Sequence, residues 1–463
     1  MKKTIIFITT ITLLFACAEK ETFSTYALLS QINGTQKITE VAPTENSAFD
    51  VDIAIDTAQR FQQMEGFGYT LTGGSAAHIF KMNTAPQDSL LQALFGTQKG
   101  ALGISYLRLS LGASDLDEFP WSYNDLDSNQ EDKELSAFSL SRDTLYLLPV
   151  LKKIKSINPK IQLMSSPWSA PKWMKNNQDS RGGKLLKKYY SAYALYFAKY
   201  IKAMGEEGIK IDAITIQNEP HHPGNNPSMY MSSSDQAEFI GAHLGPLFEA
   251  QNIDTKIIIW DHNADEYNYP IEVLSNPKAN TYIDGSAFHL YAGSITALSE
   301  VHKAFPSKNL YFTEQWTGAP GDFEKDFSWH FEQLMIGAPN NWSKVVLEWN
   351  LSNNPELKPH TDRGGCTRCL GAITIDQNKV VANPSYYVMA HASPFVRPGA
   401  FRIHSTQHDN VPNTAYENED GSISVLLYNK NEKQHTVRIS GLEEVFTYTV
   451  PAQSALSVTF SKP

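Results

Sequence analysis

The sequence predicts an α/β protein: a (β/α)8 TIM barrel with an antiparallel β-sandwich side domain built from both chain ends. Three observations predict it. Between residues 61 and 396, eight short apolar runs alternate with stretches of helical spacing, the count and order of an eightfold barrel. Most of those runs finish in polar or aromatic residues, as strands do when they open onto a cleft. Outside that region the pattern changes to apolar–polar alternation, the mark of half-buried strands.

The run 211–220 (IDAITIQNEP) anchors the barrel. Ile211, Ala213, Ile214 and Ile216 read as a strand buried on both faces, and Pro220 stops it. Glu219 falls at its polar end, where a carboxylate is tolerable only if it faces a cleft. A second such end is 310–316 (LYFTEQW), which supplies Glu314. The eight expected strands are 61–69, 104–111, 161–165, 213–217, 256–260, 285–290, 310–313 and 344–349. Helical spacing is clearest over 184–204, where Leu185, Leu186, Tyr189, Tyr193, Tyr196, Phe197 and Tyr200 recur, and also covers 233–251 and 323–334. At the two ends, 51–58 (VDIAIDTA) and the runs 422–429, 434–440, 445–450 and 455–460 read as sandwich strands, with a boundary near Arg397-Pro398-Gly399. The expected organisation is 1–17 leader, 18–50 tether and start of the β-domain, 51–60 first sandwich strand, 61–396 barrel and 397–463 sandwich.

The 463 residues suffice for a large barrel plus a smaller domain. A net charge of −10 disfavours nucleic acid or an anionic membrane surface and fits a neutral partner. At the N-terminus, Lys2 and Lys3 precede an apolar run from Ile5 to Phe15, too short to span a bilayer but of signal-peptide form. It ends Leu14-Phe15-Ala16-Cys17, which resembles the lipobox of bacterial lipoproteins. That resemblance implies lipidation of Cys17, a polar tether to about Thr35, and an exported chain whose only membrane contact is the lipid. Cys366 and Cys369 form a CxxC that admits a disulfide, free thiols, half a zinc site or a redox pair. An exported compartment favours a local bridge.

The strand ends carry the chemistry. Gly66-Phe67-Gly68-Tyr69 follows the first run. The second gives Arg108, which needs an anionic partner inside a barrel: a catalytic carboxylate, or a structural ion pair. Asp115 beyond it is a sugar-hydroxyl ligand or an Asx-turn. The third, 165–174 (SSPWSAPKWM), places Trp168 between two prolines as a stacking platform or a core plug. The fourth gives Asn218 beside Glu219; His221 and His222 follow, with no role assigned. The sixth gives His289 and Tyr291, two apart and so on one strand face. The eighth gives Glu348, read as a salt-bridged or outward-facing structural residue, and Trp349, a second platform. Two glutamates with an arginine, an asparagine and tryptophans around them fit glycoside hydrolysis. One carboxyl must donate a proton to the leaving oxygen, while the other stays ionised beside the anomeric carbon. Burial is expected to raise the first, and Arg108 to lower the second.

GFG, SPWSAPKWM, Asn218-Glu219-Pro220, FHLY and TEQW together resemble glycoside hydrolase family 30, over roughly residues 61–460. Its members include lysosomal-type glucosylceramidases and microbial β-1,6-glucanases. The resemblance implies a retaining enzyme without metal or cofactor, with Glu219 as acid/base and Glu314 as nucleophile. It also places Arg108, Asp115, Trp168, Asn218, His289, Tyr291 and Trp349 around a glucose pocket. The loop 69–74 (YTLTGG) lacks the Asp usual in lysosomal-type members, and HPGNNPSMYM after the fourth strand is more like the glucanase branch. The expected activity is therefore β-1,6-glucan hydrolysis by a monomer. The alternatives are a glucosylceramidase, an exo-β-glucosidase, or a non-catalytic glycan-binding lipoprotein.

Overall fold

The computed structural model describes residues 23–35, 37–45 and 48–462. Cys17 and the leader lie outside them. Eight parallel strands close a barrel in chain order: Gly66–Leu71, Tyr106–Ser110, Gln162–Ser166, Ala213–Thr215, Lys256–Asn263, Ile283–His289, Asn309–Glu314 and Ser343–Asn350, the last pairing with the first. Parallel strands buried on both faces need near-continuous apolar sequence, which is what made them legible. Tyr106, Met164, Ala213, Ile258, Ala287, Tyr311, Val345 and Leu347 fill the interior as one cluster, so the barrel is packed and not a pore.

Several expected boundaries differ. The run 61–69 is not one strand: Phe61 belongs to a long sandwich strand, Val51–Gln63, and the barrel begins at Gly66. The first strand lies so close to the second that a Cβ on Gly68 would sit 1.8 Å from the Tyr106 carbonyl oxygen, which only glycine avoids. The helix expected over 184–204 begins at Tyr190 and runs to Glu206, preceded by a 3-10 turn at Lys187–Tyr189. Residues up to Thr35 are not a tether throughout. Ser24–Gln31 is a strand paired antiparallel with Ser454–Ser461 along its whole length, because Ala27, Leu28 and Leu29 are buried by that pairing.

The side domain orders its nine strands as Thr39–Glu40, Ser24–Gln31, Ser454–Ser461, Ile423–Asn429, Asn413–Glu417, Phe401–Ser405, Val51–Gln63, His435–Ser440 and Phe446–Val450. Four of these, at 24–31, 39–40, 401–405 and 413–417, were not among the expected strands. Pairing is antiparallel except between Val51–Gln63 and His435–Ser440, which run parallel. Ile53, Ile55, Val425, Leu427, Val437, Ile439, Leu456 and Val458 form its core. Cys366 and Cys369 are disulfide-bonded.

His391 joins the two domains. It caps the helix Pro384–Ala390, is fully buried, and bonds Ser457 through Nδ1 at 3.0 Å and Ser30 through Nε2 at 2.8 Å. The Ser457 hydroxyl donates to the His391 carbonyl, so Nδ1–H donates to Ser457 and Nε2 accepts from Ser30: a neutral ring. Burial pushes its pKa down to about 3. The unfolded chain takes up this proton near the ordinary value of ~6.5, the folded chain only near 3. Its contribution to stability is therefore complete above pH ~6.5 and is lost as pH falls toward 3. Between pH 7 and 5 the loss attributable to this ring is about 2 kcal/mol. Urea unfolding of wild type and His391→Gln at the two pH values checks it; an equal pH dependence in both proteins would refute the assignment.

Candidate active site

Arg108 is the hub. It points into the C-terminal end of the barrel from the second strand and has no exposed surface. Nη1 donates to Glu314 Oε2 at 2.6 Å; Nη2 donates to Asp261 Oδ2 at 2.8 Å and Asn218 Oδ1 at 2.7 Å. Its guanidinium lies 4.8 Å from the Trp168 ring and 5.8 Å from that of Trp349. Those two rings touch each other at 5.4 Å and leave only 1% and 4% of their residues exposed. They cover the buried cation, so the expected open stacking platforms are instead a lid over Arg108. Trp316, which packs against these two rings, is half-buried.

Asp261 is the second anchor, and the sequence reading missed it. The expected fifth strand stopped at Trp260, but it runs to Asn263. The carboxylate accepts from Arg108, Ser166 and Thr215 on one oxygen and from Thr313 on the other, with His289 Nε2 3.1 Å away. Burial alone would raise its pKa; Arg108 and His289 overcome that and hold it well below the usual range. The signal was present: apolar IIIW turning into Asp261-His262-Asn263 has the same form as the fourth strand's end.

His289 joins both glutamates. Nδ1 lies 3.3 Å from Glu219 Oε1 and 3.8 Å from Glu314 Oε1. Two such legs from one nitrogen keep the facing oxygens within about 7.1 Å of each other, a bound that takes in the ~5–5.5 Å of a retaining pair and the near end of the ~6.5–9.5 Å of an inverting one. Burial would strip His289 of its proton, but Glu314, Asp261 and Glu219 raise its pKa to about 9. Glu219 Oε2 accepts from Asn225 at 3.1 Å, and His262 Nδ1 stands 3.6 Å from Oε1. Both residues went unread in the sequence. Tyr291 lies past the strand, which ends at His289, and is 38% exposed; its hydroxyl still donates to Glu314 Oε1 at 2.9 Å.

The carboxyls split in the opposite sense to the sequence expectation. Burial pushes both up. For Glu219 the neighbouring rings of His262 and His289 outweigh it and lower the pKa. For Glu314 burial wins over the pull of His289 and Arg108, helped by the charge of Glu219, and its pKa is raised. Asp115 is buried beside them and pushed up to about 8, by burial first and then by Glu314 and Glu219. Glu348 is elsewhere, buried and 3.1 Å from His330 Nδ1.

Glu219, His262 and His289 offer ligand atoms within 4.8 Å of one another, so spacing alone admits a metal ion. His289 Nδ1 would first have to release a proton that three carboxylates favour keeping.

A family model described as the glycosyl hydrolase family 30 TIM-barrel domain matches residues 64–396, and one described as the family's beta sandwich domain matches 399–458. The chain is 32% identical over 448 residues to an endo-1,6-beta-D-glucanase of Aspergillus fumigatus, covering 89% of this chain and 90% of that protein. It is 28% identical over 451 residues to a putative glucosylceramidase 4 of Caenorhabditis elegans, covering 91% and 86%. Among solved structures, the endo-beta1,6-glucanase BT3312 superposes with a TM-score of 0.88 at 34% identity, covering 95% of this chain and 99% of that one.

Proposed function

The chain belongs to glycosyl hydrolase family 30, and from that premise we propose that it is a β-1,6-glucanase cutting within the polymer by double displacement. One observation carries the mechanism: two buried glutamates from different strand ends meet at a single nitrogen of His289. The substrate reading is supported by the glucanase relatives at 32% and 34% identity, against 28% for the glucosylceramidase.

In this reading Glu314 is the nucleophile. Arg108 and Tyr291 hold one oxygen each, fixing the carboxylate and drawing its charge into a defined direction. Glu219 is the acid/base. To act as the acid Glu219 must be protonated, against the lowering that His262 and His289 impose; His289 Nδ1, 3.3 Å from Glu219 Oε1 and 3.8 Å from Glu314 Oε1, is the group that faces both carboxyls. With Glu314 ionised and Glu219 protonated, attack at the anomeric carbon and protonation of the leaving oxygen proceed together. Glu219 then takes a proton from the water that hydrolyses the glycosyl–enzyme ester. Asn218, its Oδ1 held by Arg108, keeps its amide N–H groups for a sugar hydroxyl. Asp115, neutral below about pH 8, is placed to donate to another.

Glu314→Gln is expected to lower kcat on β-1,6-glucan by at least ~10³-fold while glucan binding persists. The check is turnover and binding on β-1,6-glucan, with glucosylceramide and an aryl β-glucoside assayed alongside. Near-wild-type turnover in the variant would refute the nucleophile, and cleavage of glucosylceramide in preference to the glucan would refute the substrate.

We also propose that the enzyme is exported and held at a membrane through lipidated Cys17; the basic start, apolar run and Leu14-Phe15-Ala16-Cys17 support this. Cys17→Ser should move the protein from the membrane fraction to the soluble one. Unchanged membrane retention would contradict it.

A further inference from the structure

The C-terminal face of the barrel carries a second recess. A groove of about 920 Å³ lies between the loops following the first, second and eighth barrel strands. Glu219, Glu314, Arg108 and His289 do not line it. Its volume is that of a ligand site, in the range of ~300–1,000 Å³. Asp117, on its wall, is two residues beyond Asp115, so the groove and the catalytic recess share the segment 115–117.

Exposed apolar side chains gather here. Phe119 is 45% and Leu145 57% exposed, and both line the groove; Phe80, 43% exposed, packs at 5.5 Å on Tyr146, which also lines it. Exposed apolar side chains scattered singly need no explanation, but a cluster with a polar rim marks a contact surface. The exposed rim is balanced: Glu118, Glu356 and Asp376 stand against Lys81, Arg142 and Lys358, while Asp117 and Asp143 are buried behind them, with burial raising their pKa to about 6 and about 7. A rim without net charge offers an anionic ligand no pull. Arg142 lies 4.8 Å from the Phe119 ring, but unlike Trp168 this ring keeps 45% of its residue exposed; an aromatic and aliphatic surface beside hydroxyl acceptors suits a neutral pyranose, which stacks its C–H face and donates its hydroxyls to carboxylates.

We propose that this groove is a second glycan-binding site, holding a stretch of β-linked glucan away from the bond being cut. The inference rests on the glucanase reading for its ligand. A chain held at both recesses makes the second contact intramolecular, which raises affinity for polymer without altering the reacting centre.

The test uses Phe119→Ala and, at a separate point on the rim, Asp376→Ala, each checked for an unchanged thermal midpoint. Both are expected to raise KM for long β-1,6-glucan, about tenfold for Phe119→Ala, with aryl β-glucoside turnover unchanged. In gels containing β-1,6-glucan, Glu314→Gln protein should be retarded, and Glu314→Gln/Phe119→Ala retarded less. Wild type that cleaves the glucan, with KM and retardation unmoved in both variants, would overturn the groove and leave the glucanase reading standing. Wild type that leaves the glucan uncut yet shows Phe119-dependent retardation would overturn the glucanase reading and leave the groove. Neither cleavage nor retardation would overturn both.

Discussion

The site depends on one buried guanidinium. Arg108 has no exposed surface, and an isolated charge in that position would cost several kcal/mol or more. Asp261 and Glu314 neutralise it, Asn218 takes a further N–H, and two tryptophan rings close over it. Removing any one of these partners leaves another group buried and unpaired, which typically costs 3–5 kcal/mol, more than the pair contributes over an apolar substitute. The network therefore specifies geometry more than it adds stability. It fixes where the carboxylate of Glu314 points and, through Asp261, where His289 stands.

The same network sets the proton count. Arg108 and His289 are the cations; Asp261 and Glu219 are held ionised, while Glu314 and Asp115 are pushed toward the neutral form. A third carboxylate without a third cation is disfavoured in a dry site. That is the physical origin of unlike behaviour in two chemically identical side chains. The backbone is bent to match. Glu219, Trp260 and Asp261 all adopt positive φ, at 46°, 70° and 67°, a conformation costing roughly 1–3 kcal/mol at a non-glycine residue. The Glu219 N–H donates to the Asp261 carbonyl at 3.0 Å, so the fourth and fifth strand ends are turned inward together.

The barrel was legible in the sequence because its strands are buried on both faces and so are written in uninterrupted apolar residues. Glu219, Glu314 and Arg108 could be found because a charged residue in such a run needs a reason. Asp261 obeyed the same rule, but its strand was ended at Trp260, three residues too soon. Asn225 and His262 were beyond reach: one sits in a loop with no period, and the other matters only through where its ring turns. Ser24–Gln31 was hidden by the leader before it, which invited a tether. Trp168 was placed correctly at a strand end, but that Arg108 would take its face follows only from packing. The split between the glutamates could not be read either, since it depends on His262 standing beside Glu219 and not beside Glu314.

The account's central claim is that two glutamates held within about 7.1 Å at their facing oxygens work by double displacement, with one inversion at each step. Proton NMR of the first sugar released from β-1,6-glucan, read before mutarotation, tests this most directly. The β-anomer appearing first is the predicted result; the α-anomer appearing first would contradict it.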